Sequence, residues 1–392
     1  MRRPLDDIRI IDLTQGICGP FCTQILRDLG AEVIKIEPLS GDISRKLGTQ
    51  HGKTSISYIN FNRGKKSMIL DLEKPGQKEL LLKLAEKSDV FVENLGPGKS
   101  SDLGIGYEQV KRRKADILYL SITGFGHEGM FRNYSDLDAI VQALSGFMSI
   151  TGETGGEYTK GGVPLADVYT GIYGAIGILA GIIHRRKTGE SLYIDLAKLN
   201  VMLTEMPDTM SKYFNTGQTT RPKGCRHQLV GFFGPAETKD GSVICMAAQD
   251  HQFKAMMEIL GLEGLEKDER FDSMTKRCIN IAQLEQIVCA KTREMTMDEL
   301  TEKLLERKIP AGQINTLDKI LESDYVKYHN LTMEVLDGKE GTFKVIGSPM
   351  KFEKFEMLKT DFTSQPGEFT EELLSEVLGL GKEVLNRKGE TV

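Results

Sequence analysis

The chain has 392 residues, of which 40% are hydrophobic and 27% charged, as in ordinary soluble globular proteins. This length is too great for one simple hydrophobic core, so we expect two domains or one large discontinuous domain. The net charge of −5 provides no basic field for a polyanion, which argues against nucleic-acid binding as the function.

The cysteine pattern bears on metal binding and on location. No CxxC pair or Cys/His cluster has the spacing of a zinc site, and MRRPLDDIRI lacks the apolar core of a signal peptide. We therefore expect reduced thiols in a cytoplasmic protein. Cys18 and Cys22 fit the behaviour of small buried apolar residues, with a reactive pair as the alternative. The six cysteines are Cys18, Cys22, Cys225, Cys245, Cys278 and Cys289.

The first forty residues predict a parallel α/β unit. The apolar strand IRIIDLTQG ends in a glycine-containing loop, GPFCTQILRDLG has the spacing and glycine stop of a helix, and AEVIKIE predicts a second strand. Such a β-α-β unit opens a Rossmann-like parallel sheet. The segment lacks GxGxxG, and Glu37 is a weak match to a ribose-binding acid, so we do not expect a nicotinamide cofactor.

The strand pattern continues in KKSMILDL, DVFVENL and ADILYLSITGFG, with the helix PGQKELLLKLAEKS after the first of them. Each strand ends in small or polar residues. Because ligands of open α/β sheets bind at the carboxyl ends of the strands, we expect the ligand site to be assembled from these loops. The residues concerned are Gly16, Asn94, Gly96, Thr123 and Gly124.

We place a domain boundary in the polar stretch QTTRPKGCRHQ. Residues 1–215 then form the N-terminal part of a large Rossmann-like domain, 216–228 a linker, 229–325 a small α+β domain, and 326–392 a linker and a C-terminal return to the large domain. The small domain opens with two predicted strands around a Lys-Asp-Gly turn. IPAGQINTLDKIL resumes the strand–helix alternation, which leaves open whether that stretch already belongs to the large domain.

One acid precedes the most apolar segment of the chain. Residues 168–183, which follow Asp167, carry no charge and are dotted with glycine and alanine, so we expect a helix that is packed tightly on every side. The run is too short for a confident membrane span and favours a buried helix. Asp167 fits a helix cap, since a carboxylate there accepts backbone N–H bonds and faces the positive end of the dipole. An ionised carboxylate in a dry cleft can also attack an activated acyl group, and the two roles are compatible.

A series of motifs resembles the class III coenzyme A transferases of the CaiB/BaiF type, which include formyl-CoA and carnitine CoA-transferases and a racemase branch. The series runs in family order over nearly the whole chain, from PLDDIRIIDLTQGICGPFCTQILRDLGAEVIKIEP through NRGKKSMILDL, VENLGPG, SITGFG, DAIVQALSGFMSITG and PLADVYTG to KIPAGQINTL and GSPMKF. Single motifs are weak, whereas seven or more in order are specific. The resemblance implies a Rossmann-like large domain, a smaller α+β domain and an interlocked homodimer.

The resemblance also implies a site. The family's aspartate in ADxxxG carries the acyl group, and Asp167 occupies that place. Acyl-CoA and a small carboxylic acid are the implied substrates, with no permanently bound cofactor and no metal, nucleic acid or membrane as partner. The implied coenzyme A contacts are Gly16, Ile17, Cys18, Leu70, Glu73, Asn94, Leu95, Gly96, Lys99 and Arg132, with Arg45 as an alternative cation.

One departure from the family bears on the reaction type. In the racemase branch a catalytic His precedes the Asp of the HD…SG stretch, where this chain has Leu137. His127 lies ten residues earlier and is expected to be a solvated loop residue. Because racemisation needs two bases, the missing His favours a transferase over a 2-methylacyl-CoA racemase.

Other departures bear on the acceptor acid. Oxalate-using relatives carry a glutamine at the place of Ile17, and a glycine-rich loop where LVGFFGPAE offers only Gly231 and Gly234. Both differences indicate an acceptor less polar than oxalate, with a hydrocarbon chain. Phe232 and Phe233 would shape such a pocket, although core packing is the simpler interpretation.

The implied mechanism is transfer of CoA through an aspartyl anhydride and an aspartyl-CoA thioester on Asp167. Backbone amides near Gly16 to Cys18 and at the start of the helix at 167 would stabilise the oxyanions. Two alternatives stay open at this point: the racemase, and a non-catalytic CoA-binding protein in which Asp167 only caps its helix.

Overall fold

The computed structural model describes residues 3–52, 54–226, 230–337, 341–356 and 360–381. Contacts divide the chain into two units, Met1–Phe147 with Lys160–Gln218 and Lys327–Val392, and Met148–Thr159 with Thr219–Val326. The domain prediction differs for residues 148–159, which group with the second unit. The amide of Gly224 there donates to the carbonyl of Gly152 at 2.8 Å. Residues 227 and 228 of the predicted linker lie outside the described residues.

The elements of both units are as follows. The helices are α1 (Cys18–Asp28), α2 (Ile56–Asn62), α3 (Pro75–Glu86), α4 (Lys99–Asp102), α5 (Tyr107–Arg113), α6 (Asp138–Leu144), α7 (Phe147–Ile150), α8 (Leu165–Thr188), α9 (Lys198–Thr204), α10 (Pro207–Thr216), α11 (Asp250–Ile259), α12 (Met274–Ile279), α13 (Ile281–Thr292), α14 (Met297–Glu306), α15 (Leu317–Glu322), α16 (Asp324–Tyr328) and α17 (Thr370–Leu378). The strands are β1 (Arg9–Asp12), β2 (Glu32–Glu37), β3 (Gln50–His51), β4 (Thr54–Ser55), β5 (Lys66–Ile69), β6 (Val90–Glu93), β7 (Leu118–Thr123), β8 (Leu192–Ala197), β9 (Phe233–Glu237), β10 (Ser242–Met246), β11 (Ala311–Gln313), β12 (Thr332–Asp337), β13 (Gly341–Ile346) and β14 (Thr360–Phe362).

The first unit is built on a six-stranded parallel sheet, in the order β5-β2-β1-β6-β7-β8. Counted along the chain this is the order 3-2-1-4-5-6 of doubly wound sheets, and the strand order reverses between β1 and β6. Central strands are apolar along their length, as in Ile10, Ile11 and Phe91, which are fully buried. Helices on both faces require such continuous runs. The predicted α/β class with a parallel sheet is confirmed.

The C-terminal segment joins this unit without adding a strand to the parallel sheet. Its strands form a separate three-stranded sheet in the order β13-β12-β14. Helix α17 then packs Leu373 and Leu374 into the core formed by β5, α3 and the neighbouring strands. The return of the chain is therefore made by packing, which buries apolar side chains, and not by strand pairing.

The second unit has an antiparallel sheet in the order β11-β10-β9, with α11 to α14 around it. Strand β11 pairs with β10, so IPAGQINTLDKIL begins in this unit and does not return to the first one. Phe232 lies in the core of this unit and is 1% exposed, in line with the core-packing interpretation. Residues 233–237 form β9, so Gly234 belongs to a strand and not to a loop.

Helix α8 approaches α1 closely because glycines face it. A Cβ atom on Gly171 would lie 2.8 Å from the carbonyl oxygen of Cys18, and one on Gly174 would lie 3.0 Å from the sulfur of Cys22. Neither distance accommodates a side chain without movement. These two glycines therefore fix the separation of the two helices.

The opposite side of α8 departs from the expectation of burial on every side. Ile172, Ile176 and Ile183 are 37 to 56% exposed in the single chain. By length and composition alone, α8 is also the single helix of the described residues that could cross a membrane, and half of its most apolar window is buried. The helix thus has a packed face and an exposed apolar face.

Substituting alanine at Gly171 tests the close approach. We expect Gly171→Ala to lower the free energy of unfolding by about 1–3 kcal/mol, since the new methyl meets a backbone atom that cannot rotate away. Gly177→Ala is the matched control, because its Cβ would lie 3.6 Å from Ile194 and alanine favours helix by about 1 kcal/mol. Urea unfolding of both variants measures the difference. Equal stability of the two would contradict the packing argument.

Candidate active site

The carboxyl ends of the parallel strands enclose a cavity of about 390 Å³ in the first unit. Loops after β1, β2, β5 and β6 line it, at the reversal of strand order. Three of the predicted contacts, Leu70, Glu73 and Leu95, are among the lining residues, while Gly16, Ile17, Cys18, Asn94 and Gly96 lie in the same loops without lining it. The remaining lining residues are Leu13, Gln15, Ile36, Glu37, Pro38, Leu39, Ser40, Asp71, Leu72 and Leu103. The lining residues at the end of β2 were not among the predicted coenzyme A contacts.

The loop after β1 is held from two sides. The side chain of Asn94 exchanges two hydrogen bonds of 2.9 Å with the backbone of Gln15. On the other side, Nζ of Lys35 donates to the carbonyl of Thr14 at 2.7 Å, and the carboxylate of Asp12 accepts from the Thr14 amide at 2.9 Å. The side chain of Asn94 therefore holds this loop directly, and the same contact places Asn94 beside the cavity.

The predicted cations separate into two classes. Lys99 and Arg132 both reach the loop after β6: a Cβ on Gly96 would meet the Lys99 side chain at 3.8 Å, and one on Gly98 would meet Nη2 of Arg132 at 3.3 Å. Both are exposed and form no ion pair within the described part of the chain. Arg45 differs, because its Nε and Nη2 donate to the Glu37 carboxylate at 2.8 and 2.7 Å. Arg45 thus has an internal anionic partner, and its role as an alternative cation for phosphate stays a prediction.

Asp167 does not cap its own helix, which corrects the capping interpretation. Helix α8 begins at Leu165, so Asp167 is its third residue. The cap comes from Asp138, whose Oδ1 accepts hydrogen bonds from the amides of Ala166 at 2.8 Å and Asp167 at 3.3 Å. The side chain of Asp167 is therefore left for another role.

Asp138 is in turn fixed by a buried glutamine one helical turn away. Nε2 of Gln142 donates to Oδ2 of Asp138 at 2.6 Å, and Oε1 of Gln142 accepts from the amide of Gly161 at 2.8 Å. The glutamine joins α6 to the segment that leads into α8, and it is fully buried. This chain of bonds sets the position at which α8 begins.

Asp167 faces a buried lysine that was not among the predicted site residues. Lys198 is the first residue of α9, directly after β8, and is 6% exposed. Its Nζ forms an ion pair with Oδ1 of Asp167 at 2.9 Å and contacts Oδ2 and the carbonyl of Asp136 at 3.1 and 3.0 Å. The rule that ligands bind at the carboxyl ends of strands would have found Lys198, had it been applied to β8.

Burial dominates the electrostatics of this cluster. It raises the pKa of Asp167 above its ordinary value, against the opposing effect of the Lys198 ammonium. Burial alone would lower the pKa of Lys198, but Cys18, Asp167 and Asp136 hold it above the usual range, so the lysine stays charged. Burial also raises the pKa of the Cys18 thiol to about 11. The alternative of a reactive Cys18 is therefore not supported.

The structure corrects the expectation for His127. Its Nε2 lies 3.0 Å from Oγ of Ser121 and 3.0 Å from the hydroxyl of Tyr193, so it is a partly buried, bonded residue and not a solvated one. Leu137 precedes α6 and is 68% exposed. The position of the racemase base thus holds an apolar side chain.

The two helix starts of the site differ in what their amides can bind. At the start of α8, Asp138 occupies the amides of Ala166 and Asp167, which removes them from the predicted oxyanion site. At the start of α1 no side chain caps the helix, and within the described residues no acceptor meets the amides of Cys18 and Gly19. Of the two predicted oxyanion sites, only the one at the start of α1 keeps open amides, those of Cys18 and Gly19, because the Gly16 amide donates to Oδ1 of Asp42 at 3.3 Å.

Comparison with known proteins identifies the family. The sequence model of CoA-transferase family III matches residues 5–366. The chain belongs to CoA-transferase family III. It is a CoA-transferase, an enzyme that moves coenzyme A between an acyl-CoA and a carboxylic acid.

Curated relatives and solved structures are similar over most of the chain. A succinyl-CoA:glutarate CoA-transferase of Mus musculus is 34% identical over 96% of this chain and 87% of its own length. A succinyl-CoA:mesaconate CoA-transferase of Haloarcula hispanica is 32% identical over 88% of this chain and 89% of its own. The crystal structure of a CaiB/BaiF family protein from Brucella suis superimposes with a TM-score of 0.89 at 29% identity, covering 96% of this chain and all of that one.

The raised pKa of Asp167 predicts a pH dependence for this transferase. If the ionised carboxylate is the reactive form, the protonated and unreactive form persists to a higher pH than for an ordinary aspartate, whose pKa is 3.8. Activity should therefore be full at neutral pH and fall as the pH drops through that raised value. The rate at which the enzyme releases the donor acid from acyl-CoA in a single turnover without acceptor acid measures this, because the acceptor's own titration is then absent. A rate that stays flat down to about pH 4 would contradict the prediction.

Proposed function

We propose that Asp167 is the nucleophile that carries the acyl group and then coenzyme A. The observation that supports this most is that a different aspartate caps the helix to which Asp167 belongs. Asp138 caps α8, so the carboxylate of Asp167 is free of backbone partners and instead faces the Lys198 ammonium at 2.9 Å. A charged, buried and desolvated carboxylate is suited to attack an acyl carbon.

The proposed cycle uses no proton transfer. Asp167 attacks the thioester carbonyl of the donor, a C–O bond forms, the C–S bond breaks, and the electron pair leaves with the CoA thiolate. The thiolate then attacks the aspartyl carbonyl of the anhydride and releases the donor acid as a carboxylate. The acceptor carboxylate attacks the aspartyl-CoA thioester, and the same steps run in reverse. The open amides at the start of α1 stabilise the oxyanions of these steps.

The cavity at the strand ends is the proposed place of the coenzyme A nucleotide. Its lining is mostly apolar, with leucines from four loops, which suits an adenine ring. Lys99 and Arg132 meet at the loop after β6 and are proposed to bind the phosphates, because they are exposed cations without an internal ion pair in the described residues. The pantetheine arm would then run from this loop towards Asp167.

The proposed acceptor is a carboxylic acid with a hydrocarbon chain, less polar than oxalate. Ile17, at the start of α1, replaces the glutamine of oxalate-using relatives and leaves an apolar side chain beside Cys18. The names of the two similar transferases mention glutarate and mesaconate, both dicarboxylic acids with carbon between the carboxyl groups. We therefore propose a dicarboxylic acid of four or five carbons, such as those molecules.

The exposed face of α8 supports the proposed homodimer. Ile172, Ile176 and Ile183 recur at helical spacing and would be covered by a second copy of the chain, as the family resemblance implies. Equilibrium sedimentation measures the assembly, and a monomer at micromolar concentration would contradict it. The cytoplasmic location that the cysteine pattern predicts stays a prediction.

Replacing Asp167 tests the covalent step. We expect Asp167→Asn to lower kcat by about 10⁴-fold or more, as for loss of a nucleophile, while acyl-CoA still binds. Incubation of the unaltered enzyme with acyl-CoA alone should add the mass of CoA, less one water, to the peptide that contains Asp167. Asp116→Asn is the matched control, since Asp116 forms an ordinary ion pair with Lys114 at the amino end of β7. Normal turnover by Asp167→Asn would rule out the mechanism.

A panel of acids tests the proposed acceptor. With succinyl-CoA as donor, we expect glutarate to give a kcat/KM about ten-fold or more above that of oxalate, because each buried CH₂ contributes about 0.8 kcal/mol. Butyrate serves as the control for the second carboxyl group. A preference for oxalate over all longer acids would contradict the proposal.

A further inference from the structure

The ammonium of Lys198 has three N–H donors and lies beside three oxygens, one of which accepts a hydrogen bond while the other two belong to ion-paired carboxylates. The three oxygens are Oδ2 and the carbonyl oxygen of Asp136 and Oδ1 of Asp167, at 3.1, 3.0 and 2.9 Å. The lysine is almost fully buried, so its ammonium is largely withdrawn from solvent. Its charge is therefore compensated within the protein before any substrate arrives.

One of these three contacts depends on the proposed chemistry and two do not. When Asp167 forms an anhydride or a thioester it becomes neutral, and its negative charge leaves on the CoA thiolate or on the departing acid. Asp136 takes no part in that step and continues to hold the ammonium. A buried ammonium that loses an anionic partner is stabilised by a new one, because a charge is poorly solvated in the protein interior.

We propose that Lys198 binds the carboxylate of the acid substrate while Asp167 is acylated. In the resting enzyme the same ammonium keeps Asp167 ionised. When the charge of Asp167 is lost, the freed N–H donor takes the carboxylate of the departing donor acid and then that of the entering acceptor. When the acceptor has reacted, Asp167 regains its charge and its bond to Lys198. The proposal rests on the proposed acylation of Asp167 and adds a residue that contacts the substrate.

The arrangement of charges favours this role over a purely structural one. Three aspartates, at positions 136, 138 and 167, surround the site, and without a cation they would repel an entering carboxylate. Asp138 is committed to the backbone of α8 and to Gln142. Among the described residues that contact Asp167, Lys198 is the cation. A substrate that must approach as an anion therefore needs this side chain.

Two substitutions with opposite expected effects test the proposal. Lys198→Met removes the ammonium at similar volume, and we expect it to raise the KM of the acceptor acid by about 10- to 100-fold, the factor for loss of one charge-assisted hydrogen bond. In this variant, the loss of activity at low pH should also move to higher pH by about one to three pH units, because Asp167 no longer has the cation that lowers its pKa. Asp136→Asn keeps the ammonium and removes a competing anion, so we expect the acceptor KM to fall by about two- to five-fold.

Controls separate this inference from folding and from the proposed function. Lys198→Arg should restore much of the acceptor KM, because it restores the charge. Lys114→Met, which breaks an ordinary ion pair with Asp116, should change neither KM nor the pH profile. The half-exposed Asp136 makes its variant safe for folding, so the sign of its effect decides the matter if Lys198→Met does not fold.

The outcomes are distinct. A fall in acceptor KM for Asp136→Asn together with a rise for Lys198→Met supports the role, as does a matching rise in the inhibition constant of the released donor acid. A rise in acceptor KM for Asp136→Asn, or an unchanged acceptor KM in Lys198→Met, overturns it while the mass label on Asp167 still forms. If the unaltered enzyme takes up no label, the proposed function itself has failed.

Discussion

The close contact between α8 and α1 is the constraint on which the site depends. At Gly171 and Gly174 only hydrogen atoms separate the two helices, and added Cβ atoms would lie 2.8 and 3.0 Å from atoms of α1. Asp167 lies one turn before Gly171, so the same contact brings its carboxylate to the start of α1. The charge of Asp167 acts on the thiol of Cys18, the first residue of α1, so the carboxylate lies near that helix start. A looser packing would separate the proposed nucleophile from the amides that are proposed to stabilise the oxyanions.

Near this contact, capping of α8 and the proposed reaction, which one aspartate could have combined, fall to two different aspartates. A carboxylate that capped α8 would be bonded to backbone amides, which lower its pKa and its reactivity. Asp138 takes that role from α6, at a fixed distance set by Gln142. Asp167 is raised in pKa by burial and restrained by a single cation, Lys198. The start of α8 is therefore stabilised by Asp138, without the carboxylate of Asp167 that is proposed to react.

Much of the fold could be predicted from the sequence, because parallel strands covered on both faces are continuously apolar and end in small residues. The same rule located the loops at Gly16 and Asn94, whereas the loop at Leu70 was predicted from the family resemblance. The rule missed Lys198 and the end of β2 because it was not applied to every strand. The cap from Asp138 could not be predicted, since an acid at the start of a helix fits a local cap equally well. Only the contact between α6 and the start of α8 shows that the cap comes from Asp138 and not from Asp167.

The loop after β1 and the surroundings of Asp167 differ in whether their charges change during the proposed cycle. The loop after β1 rests on a buried ionic group, in which Lys65 donates to Asp12 at 3.0 Å and burial lowers the pKa of Lys65 to about 8. Desolvated pairs of this kind keep their positions because each partner would be costly to expose alone. The loop and its amides are thus set before substrate binds. In the proposed cycle the charge of Asp167 instead disappears and returns, so this residue needs a counter-ion with a second anchor. Asp136 supplies that anchor for Lys198, and the exchange of one ionic contact is then the smallest rearrangement that the proposed chemistry requires.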